Sequence, residues 1–263
     1  MKIIITGGDG YIGSQLILFF KKKKIGVKKI ACKDLKYIKI NKNFTHFIHL
    51  EHYIKNTKKN FQNNIQNIKN IINFSVVNNL FLVFPSTASF KYRNFKRLSH
   101  DINPINLYSL SKKLSEDMIL KKASSNNLKY TILRIFNVYG GTKTNRWVVA
   151  SLIRRFKKEQ ILKLSDSQNI REFIHIEDLC KLFVKIIKKK IIGKYEVSSG
   201  KQITILSLAK KIKLIFNFKN KIELIKPYKS KLNNYSKSNI KKTIQDFNWK
   251  PSIDIEKGLR KLL

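Results

Sequence analysis

The sequence predicts an α/β fold in which a parallel β-sheet is covered by helices on both faces. Apolar runs of strand length alternate along the chain with amphipathic stretches of helix length, and this alternation is typical of parallel sheets. A glycine-rich turn also joins the first apolar run directly to the first helical stretch. The 263 residues suffice for one large domain, or for one domain with a smaller lobe.

The first strand and the first helix are separated by glycines. Ile3–Ile5 is a continuous apolar run, as expected for a strand buried on both faces, and apolar residues recur at helical spacing over about 12–24. Between them, Gly7 would allow a sharp turn, Gly10 the close approach of a pyrophosphate, and Gly13 close packing of helix on strand. The alternative is an ordinary tight turn that uses glycine for steric reasons.

Further strands and helices follow the same alternation. We predict strands at Val27–Cys32, Phe47–Leu50, Leu80–Phe84 and Tyr130–Ile135, and helices near 61–78, 107–124, 147–158 and 176–189. After residue 140 the pattern is less regular, and from residue 205 it indicates a helix, a short strand and a terminal helix. Pro and Gly are sparse, so no flexible linker is expected.

The segment between the second and third predicted strands is short. Between Asp34 and Phe47 there are too few residues for a helix and a further strand, because a parallel crossover normally needs a dozen or more. We therefore expect the sheet to be trimmed at one edge.

The formal net charge of +39 arises from 55 Lys and Arg against 16 Asp and Glu. Lys is spread along the whole chain beside many Asn, Ile and Phe, and all four types are encoded by A/T-rich codons. Composition alone thus accounts for the charge, although such a field attracts polyanions non-specifically. The densest run, residues 21–29, falls where the first helix ends, and we interpret it as a solvated helix end.

The two cysteines, Cys32 and Cys180, stand alone in apolar surroundings. We interpret them as buried free thiols in a reducing compartment. The chain enters its first strand directly, with no visible signal peptide, and no apolar stretch approaches the roughly 18 residues of a membrane span. These features predict a cytoplasmic protein without a membrane span.

Two stretches carry residues suited to proton transfer. Ser86 and Thr87 follow a predicted strand, where ligands bind in open parallel sheets. Tyr108 and Lys112 are four residues apart and share a helix face. A tyrosine must lose about 3 pKa units to act as a base at neutral pH, and a nearby cation can lower its pKa. The alternative is a chance pair, since Lys is abundant.

Two further stretches carry residues suited to phosphate binding. Asn137 lies in LRIFNVYGG, a strand that ends in a turn. Arg171 precedes a short apolar run that leads into a predicted helix start at Glu177 and Asp178. Arg is rare in this chain, and its planar fork suits a pyrophosphate.

Together these stretches resemble the extended short-chain dehydrogenase/reductases, the NAD-dependent epimerase/dehydratase family that acts on nucleotide sugars. The motif T-G-G-x-G-x-x-G matches residues 6–13, and Y-x-x-x-K matches residues 108–112. The segments NPINLYSLSK, LRIFNVYGG, REFIHIEDL and FNWKPSIDIEKGLRKLL are similar to family motifs in the same order. The resemblance implies a Rossmann-like, doubly wound parallel sheet with a small C-terminal substrate-binding lobe.

The resemblance also implies how the chain is divided and what it binds. Residues 1–140, joined again by about 171–192, would form the NAD(P)-binding Rossmann domain, and 141–170 with 193–263 the smaller lobe. The implied cofactor is NAD, with NADP as the alternative. The implied partners are a nucleotide-sugar substrate and a second copy of the chain in a homodimer, with no specific nucleic acid.

The resemblance assigns roles to individual residues. Tyr108 would exchange a proton with a sugar hydroxyl, while Lys112 would lower its pKa and hold the nicotinamide ribose. Thr87, with Ser86 as backup, would hydrogen-bond the reacting oxygen. The remaining cofactor contacts would come from Gly7, Gly10, Tyr11, Ile12, Gly13, Lys33, Asp34 and Asn64, and the substrate contacts from Asn137, Arg171 and Lys229.

The choice between NAD and NADP depends on Lys33 and Asp34. If both belong to the second strand, their side chains point to opposite faces and only one meets the adenine ribose. Asp34 in that place favours NAD and an epimerase, whereas Lys33 favours NADP and a reductase. The other motifs favour NAD. The sequence LEHY at 50–53 replaces the small residues that the family places beside the cofactor.

Two other functions are less consistent with these residues. Dehydratases of the family follow the catalytic Thr with an acidic pair, whereas Thr87 is followed by Ala88 and Ser89. A non-catalytic binding protein, for RNA in view of the charge, would have no need of Thr87, Tyr108 and Lys112.

A metal site at His46, His49 and His52 is also disfavoured. In a strand, His46 and His49 point to opposite faces, so the three imidazoles would not converge on one ion.

Overall fold

The computed structural model describes residues 2–89, 106–126, 128–141, 147–165, 167–226 and 237–263. The strands are β1 (Lys2–Thr6), β2 (Gly26–Ile30), β3 (Phe44–His49), β4 (Phe81–Thr87), β5 (Tyr130–Ile135), β6 (Asn137–Tyr139), β7 (Ile161–Leu164), β8 (Ile170–His175), β9 (Gly193–Val197), β10 (Gln202–Thr204) and β11 (Lys221–Leu224). The helices are α1 (Tyr11–Lys22), α2 (Lys58–Val77), α3 (Leu107–Asn126), α4 (Val148–Lys158), α5 (Ile176–Lys189), α6 (Ile205–Ile215), α7 (Lys241–Phe247) and α8 (Ile255–Arg260), with a 3₁₀ helix at Cys32–Tyr37.

Six strands form one parallel sheet in the order β2-β1-β3-β4-β5-β9. From β1 the chain goes to β2 on one side and then crosses to β3 on the other, so the winding direction reverses between β1 and β3. Open α/β sheets bind ligands beyond the carboxyl ends of the strands at such a switch point. The predicted doubly wound parallel sheet is confirmed.

Helices cover both faces of this sheet. Ile3 and Ile5 of β1 pack into one core with apolar residues of α1 and α5. Ile4, on the opposite face, packs into a second core with residues of α2 and α3. Because successive strand residues alternate between faces, the continuous apolar run at Ile3–Ile5 supplies both cores.

The edge of the sheet is trimmed where the sequence predicted it. β2 is the strand at this edge of the sheet, and residues 31–43 contain the 3₁₀ helix but no strand. However, β2 ends at Ile30, two residues earlier than predicted, and both Lys33 and Asp34 lie in the 3₁₀ helix. The expectation that these two side chains alternate across a strand is therefore wrong, because a 3₁₀ helix has three residues per turn.

The helix starts follow local capping chemistry. The Thr57 side chain accepts a hydrogen bond from the Asn60 amide at the start of α2. The predicted helix start near Glu177 and Asp178 is confirmed, since α5 begins at Ile176 with both acids in its first turn. At the other end of a helix, Lys21–Lys24 are exposed where α1 ends, in agreement with a solvated helix end.

The less regular region beyond residue 140 contains small sheets as well as helices. β10, β8 and β6 form a three-stranded sheet, and β11 pairs with β7. A third core, which includes residues of α4, α6 and α8, lies beside them. One boundary differs from the prediction: β9, from the segment assigned to the smaller lobe, pairs with β5 in the main sheet.

Cys32 and Cys180 are both buried free thiols, as predicted. Across the described ranges, no helix combines the length and the apolar character needed to cross a membrane.

Candidate active site

A tight turn joins β1 to α1 at the switch point of the sheet. Gly7 has a φ of +69°, and a Cβ there would lie 2.4 Å from the Glu51 amide nitrogen. A Cβ on Gly13 would lie 2.2 Å from the Gly7 carbonyl oxygen. Both positions therefore require glycine, one for its backbone conformation and close approach and the other for the packing of α1 on the turn.

The start of α1 is suited to an anion. Gly10 is the N-cap and supplies no side-chain cap to the first amides of the helix. Among the described residues, a Cβ on Gly10 would meet only the Gly7 carbonyl oxygen, at 3.2 Å. This turn thus leaves space in front of an uncapped helix N-terminus, and these residues fit the pyrophosphate of a dinucleotide.

Tyr11 and Ile12 hold this turn in place through their side chains. The Tyr11 hydroxyl donates a 2.6 Å hydrogen bond to the Gly140 carbonyl oxygen, and Ile12 packs against the main core. The Tyr11 bond connects the glycine turn to the loop after β6. Any contact of these two residues with a phosphate would thus come from their backbone amides.

Thr87 and Tyr108 meet at the carboxyl end of β4. The Tyr108 phenol lies beside the Thr87 side chain and interacts with it. The Thr87 hydroxyl also donates to Ser89 Oγ at 2.9 Å and accepts from the Ser89 amide at 3.1 Å. Burial raises the pKa of Tyr108, and the neighbouring Thr87 side chain opposes this rise. The protein by itself therefore keeps this phenol protonated.

Lys112 lies one helical turn after Tyr108 and is buried, with 4% of its surface exposed. Its Nζ donates to the Pro85 carbonyl oxygen at 2.7 Å and lies 4.6 Å from the centre of the Phe84 ring. Burial lowers its pKa to about 7, although Glu116 opposes this shift. Burial at the end of β4 thus makes the charged form of Lys112 less favourable than it is in water.

Ser86 is bound within a buried ionic cluster. Its hydroxyl donates to Glu116 Oε1 at 2.5 Å, and Arg134 Nη2 donates to Glu116 Oε2 at 2.7 Å. Glu116 is 1% exposed. Thr87, and not Ser86, is therefore the hydroxyl residue that contacts Tyr108, while Ser86 connects β4 to α3. Glu116 was not among the residues predicted for the site, although its position four residues after Lys112 places it on the same helix face.

Asn64 holds the loop that follows β3. Its Oδ1 accepts from the Tyr53 amide at 2.9 Å, and its Nδ2 donates to the Tyr53 carbonyl oxygen at 3.0 Å. The buried Asn64 side chain thus binds both the amide and the carbonyl group of Tyr53, which gives it a structural role in shaping the wall of the site.

His52 was also missed as a neighbour of the predicted catalytic pair. Its Nε2 lies 2.9 Å from Ser111 Oγ, and its ring stands edge-on to the Tyr108 ring at 5.4 Å between centres. Burial, together with Lys112 and His49, lowers the pKa of His52 well below its usual value. A neutral imidazole thus packs against Tyr108, in the segment where the sequence showed LEHY.

The predicted substrate residues lie in the small sheet. Asn137 begins β6, pairs with Phe173 of β8, and donates through Nδ2 to the Glu172 carbonyl oxygen at 2.8 Å. Arg171 lies two residues before Phe173 on β8, so backbone alternation places it on the same face as Asn137. The structure thus brings Asn137 and Arg171 together on one face. Lys229 lies outside the described residues.

The histidines of β3 bind to neighbouring side chains. His46 Nδ1 lies 2.8 Å from Thr45 Oγ1, and His49 Nδ1 lies 2.8 Å from Thr6 Oγ1. Among the described residues, no three His, Cys, Asp or Glu side chains form a group that could hold a metal ion.

The fold and the site define a class of protein. The glycine turn lies at the switch point of a doubly wound sheet, where dinucleotides bind. Thr87, Tyr108 and Lys112 lie together at the carboxyl end of β4, two strands away from β1. The chain belongs to the NAD dependent epimerase/dehydratase family, whose match covers residues 3–198.

Two curated relatives are similar to this chain in sequence. A putative UDP-glucose 4-epimerase of Methanocaldococcus jannaschii is 28% identical over 63% of this chain and 54% of its own length. A GDP-6-deoxy-D-talose 4-dehydrogenase of Aggregatibacter actinomycetemcomitans is 27% identical over 73% of this chain and 71% of its own length. The chain thus spans about half the length of the first of these relatives.

The fold agrees with that of a solved enzyme. The UDP-glucose 4-epimerase of Thermotoga maritima, determined with UDP-glucose, superposes with a TM-score of 0.85 at 19% identity. The match covers 99% of this chain and 97% of that chain. The similarity extends over the main sheet and the smaller lobe, and at this identity it concerns the fold.

Proposed function

We propose that this protein is an NAD-dependent nucleotide-sugar epimerase that uses Tyr108 as its acid/base. The observation that carries the proposal is that Thr87 and Tyr108 lie side by side, with the buried Lys112 one helical turn away at the end of β4. When bound, NAD supplies a hydride acceptor and donor for a sugar carbon. The chain's own residues would orient the sugar, move the proton and exclude water.

The proton step follows from the contacts of Tyr108. The Thr87 side chain lies beside the Tyr108 phenol, so a sugar hydroxyl that replaces Ser89 as the partner of Thr87 would also lie within reach of the phenol oxygen. The Tyr108 oxygen would then take the proton of that hydroxyl and later return it. Since burial raises the pKa of Tyr108, the cationic Lys112 and a positive nicotinamide ring must lower it in the loaded site.

The nucleotide diphosphate of the substrate would bind to the small sheet. Arg171 offers a planar pair of donors for phosphate oxygens, and Asn137 lies on the same face of the neighbouring strand. We assign both to the diphosphate, with Lys229 as a third candidate. We further propose that the protein acts as a homodimer in the cytoplasm.

A ketoreductase is the second candidate. The similarity to a 4-dehydrogenase that acts on a GDP-sugar favours it, because such an enzyme would use the same residues for a single hydride transfer. A dehydratase is disfavoured, since the buried Ala88 follows Thr87 in the place of an acid.

The purified protein, incubated with a panel of nucleotide sugars, tests the proposal. An epimerase converts a sugar to its epimer with catalytic NAD and no net change in absorbance at 340 nm. A reductase consumes NADH or NADPH in proportion to product. The absence of turnover of every sugar with either cofactor would contradict both candidates.

A further inference from the structure

Glu51 lies at the switch point, directly beside the glycine turn. The Leu50 amide donates to the Thr6 carbonyl oxygen at 3.1 Å, and this bond continues the pairing of β3 with β1. Glu51 follows at once, and its amide nitrogen would be 2.4 Å from a Cβ on Gly7. Glu51 therefore lies at the opening of the crevice between β1 and β3.

The Glu51 side chain reaches across the end of β1 to the end of β2. Its Oε2 accepts a hydrogen bond from the Cys32 amide at 2.9 Å, and Cys32 follows Ile30, the last residue of β2, by two positions. Since β1 lies between β2 and β3, the Glu51 side chain spans the end of β1. Burial, and then Glu51, raise the pKa of the Cys32 thiol, as expected for a carboxylate beside it.

This carboxylate can accept a further hydrogen bond from a ligand. Its Oε2 accepts from the Cys32 amide at 2.9 Å, and the thiol of the same residue also interacts with the carboxylate. Glu51 is partly exposed. These contacts with Cys32 hold the carboxylate at the end of the second strand, and a carboxylate has about four lone pairs, so it can accept a further hydrogen bond there.

Lys33 and Asp34, the two residues predicted from the sequence to meet the adenine ribose, do not lie at the end of β2. Lys33 is exposed, and Asp34 belongs to the 3₁₀ helix, where its amide donates to the Ala31 carbonyl oxygen at 3.1 Å. Neither residue lies on β2. Glu51, in contrast, is fixed by a hydrogen bond to the backbone at the end of that strand.

We propose that Glu51, from the end of β3, is the acidic ligand of the adenine ribose and the residue that favours NAD over NADP. A carboxylate there accepts hydrogen bonds from the ribose hydroxyls and repels a 2′-phosphate, which is the role that dinucleotide folds usually give to an acid after the second strand. This inference rests on the proposed function, because it requires that the glycine turn binds a dinucleotide. It also reassigns the cofactor selectivity from Lys33 and Asp34 to a neighbouring strand.

Direct binding of NADH and NADPH to the full-length protein, followed by cofactor fluorescence and calorimetry, tests this assignment without turnover. The variants are Glu51→Gln, which keeps an acceptor for the Cys32 amide, and Asp34→Asn as the matched loss of one nearby carboxylate. The parent should bind NADH more tightly than NADPH. Glu51→Gln should weaken NADH binding about tenfold and lower the preference for NADH by at least as much, while Asp34→Asn stays within about twofold of the parent. The urea midpoint of each variant shows that it is folded.

Three results would overturn the assignment. If Glu51→Gln binds both cofactors more tightly than the parent, Glu51 obstructs the pyrophosphate and is no ribose ligand. If Asp34→Asn shows the loss of preference, the selectivity belongs to the 3₁₀ helix. If the parent binds neither cofactor, the proposed function itself fails, whereas the first two results contradict only the role of Glu51.

Discussion

Arg134 on β5 donates three hydrogen bonds to the carboxylate of Glu116 on α3, the shortest of them 2.7 Å from Nη2 to Oε2. The pair is buried, with 1% of the Glu116 side chain and 11% of the Arg134 side chain exposed. It joins the helix that carries Tyr108 and Lys112 to the sheet. The hydroxyl of Ser86 donates to the same carboxylate and extends the link to β4.

We expect Glu116→Ala to destabilise the protein by about 3–5 kcal/mol, because it leaves a buried guanidinium without its carboxylate. Asp117→Asn is the matched control, since Asp117 forms an exposed ion pair with Lys113 on the same helix. Its cost should stay below about 1 kcal/mol. Urea unfolding of both variants measures the difference. Equal effects would show that the buried cluster does not hold α3 on the sheet.

Substitutions of two glycines in the turn should have different effects, one on stability and the other on cofactor binding. Gly13→Ala places a methyl group 2.2 Å from the Gly7 carbonyl oxygen, so we expect a loss of about 1–3 kcal/mol of stability. Gly10→Ala is compatible with the φ of −69° at that position and adds a methyl group to the space in front of α1. It should keep the parent's thermal midpoint but bind NADH at least about tenfold more weakly. Tight NADH binding by Gly10→Ala would show that the pyrophosphate does not bind at this turn.

His46 should make the protein sensitive to acid. Burial, with a smaller effect of Lys190, lowers its pKa from 6.5 to about 4. As the pH falls from 6.5 towards 4, the unfolded chain takes up a proton that the folded protein does not, so stability decreases by about 1.4 kcal/mol per pH unit. Above pH 6.5 the effect vanishes.

The comparison of parent and His46→Leu by urea unfolding at pH 7.5 and pH 5 isolates this contribution. The parent should lose about 2 kcal/mol more than the variant between the two pH values. An identical pH dependence of the two proteins would show that the pKa of His46 is the same in the folded protein as in the unfolded chain.

Arg171→Ala should weaken nucleotide-sugar binding about 10- to 100-fold and leave NADH binding unchanged, because a charge-assisted contact to phosphate contributes about 1.5–3 kcal/mol. Arg154→Ala, on the exposed surface of α4, is the control for the loss of one guanidinium. Calorimetry with a nucleotide sugar and with NADH distinguishes the two pockets. Equal losses for both ligands would place Arg171 outside the substrate site.

The regular elements of the main sheet could be predicted because their patterns are strong. Tyr130–Ile135 is a strand with the predicted bounds, and α5 agrees over 176–189. β6 and β10 have three residues each, too few for a period to be detected. The charged side chains of β9 (GKYEV) obscure the apolar pattern of a strand at the edge of the main sheet.

The candidate site could be predicted only in part. The spacing of Tyr108 and Lys112 on one helix, and of the glycines around one turn, is local and therefore visible in the sequence. Contacts that cross strands are not local. The bond from the Cys32 amide to Glu51, and the packing of His52 on Tyr108, depend on the sheet order and on the exact end of β2.

The most direct test of the account is the turnover of Tyr108→Phe with the nucleotide sugar that the parent converts. Tyr37→Phe, which removes the same hydroxyl from a residue that is 74% exposed, is the control. We predict that Tyr108→Phe loses about 10²- to 10⁴-fold in turnover while its urea midpoint and its NADH affinity remain those of the parent, and that Tyr37→Phe retains full activity. Turnover of Tyr108→Phe at the parent's rate would contradict the assignment of Tyr108 as the acid/base.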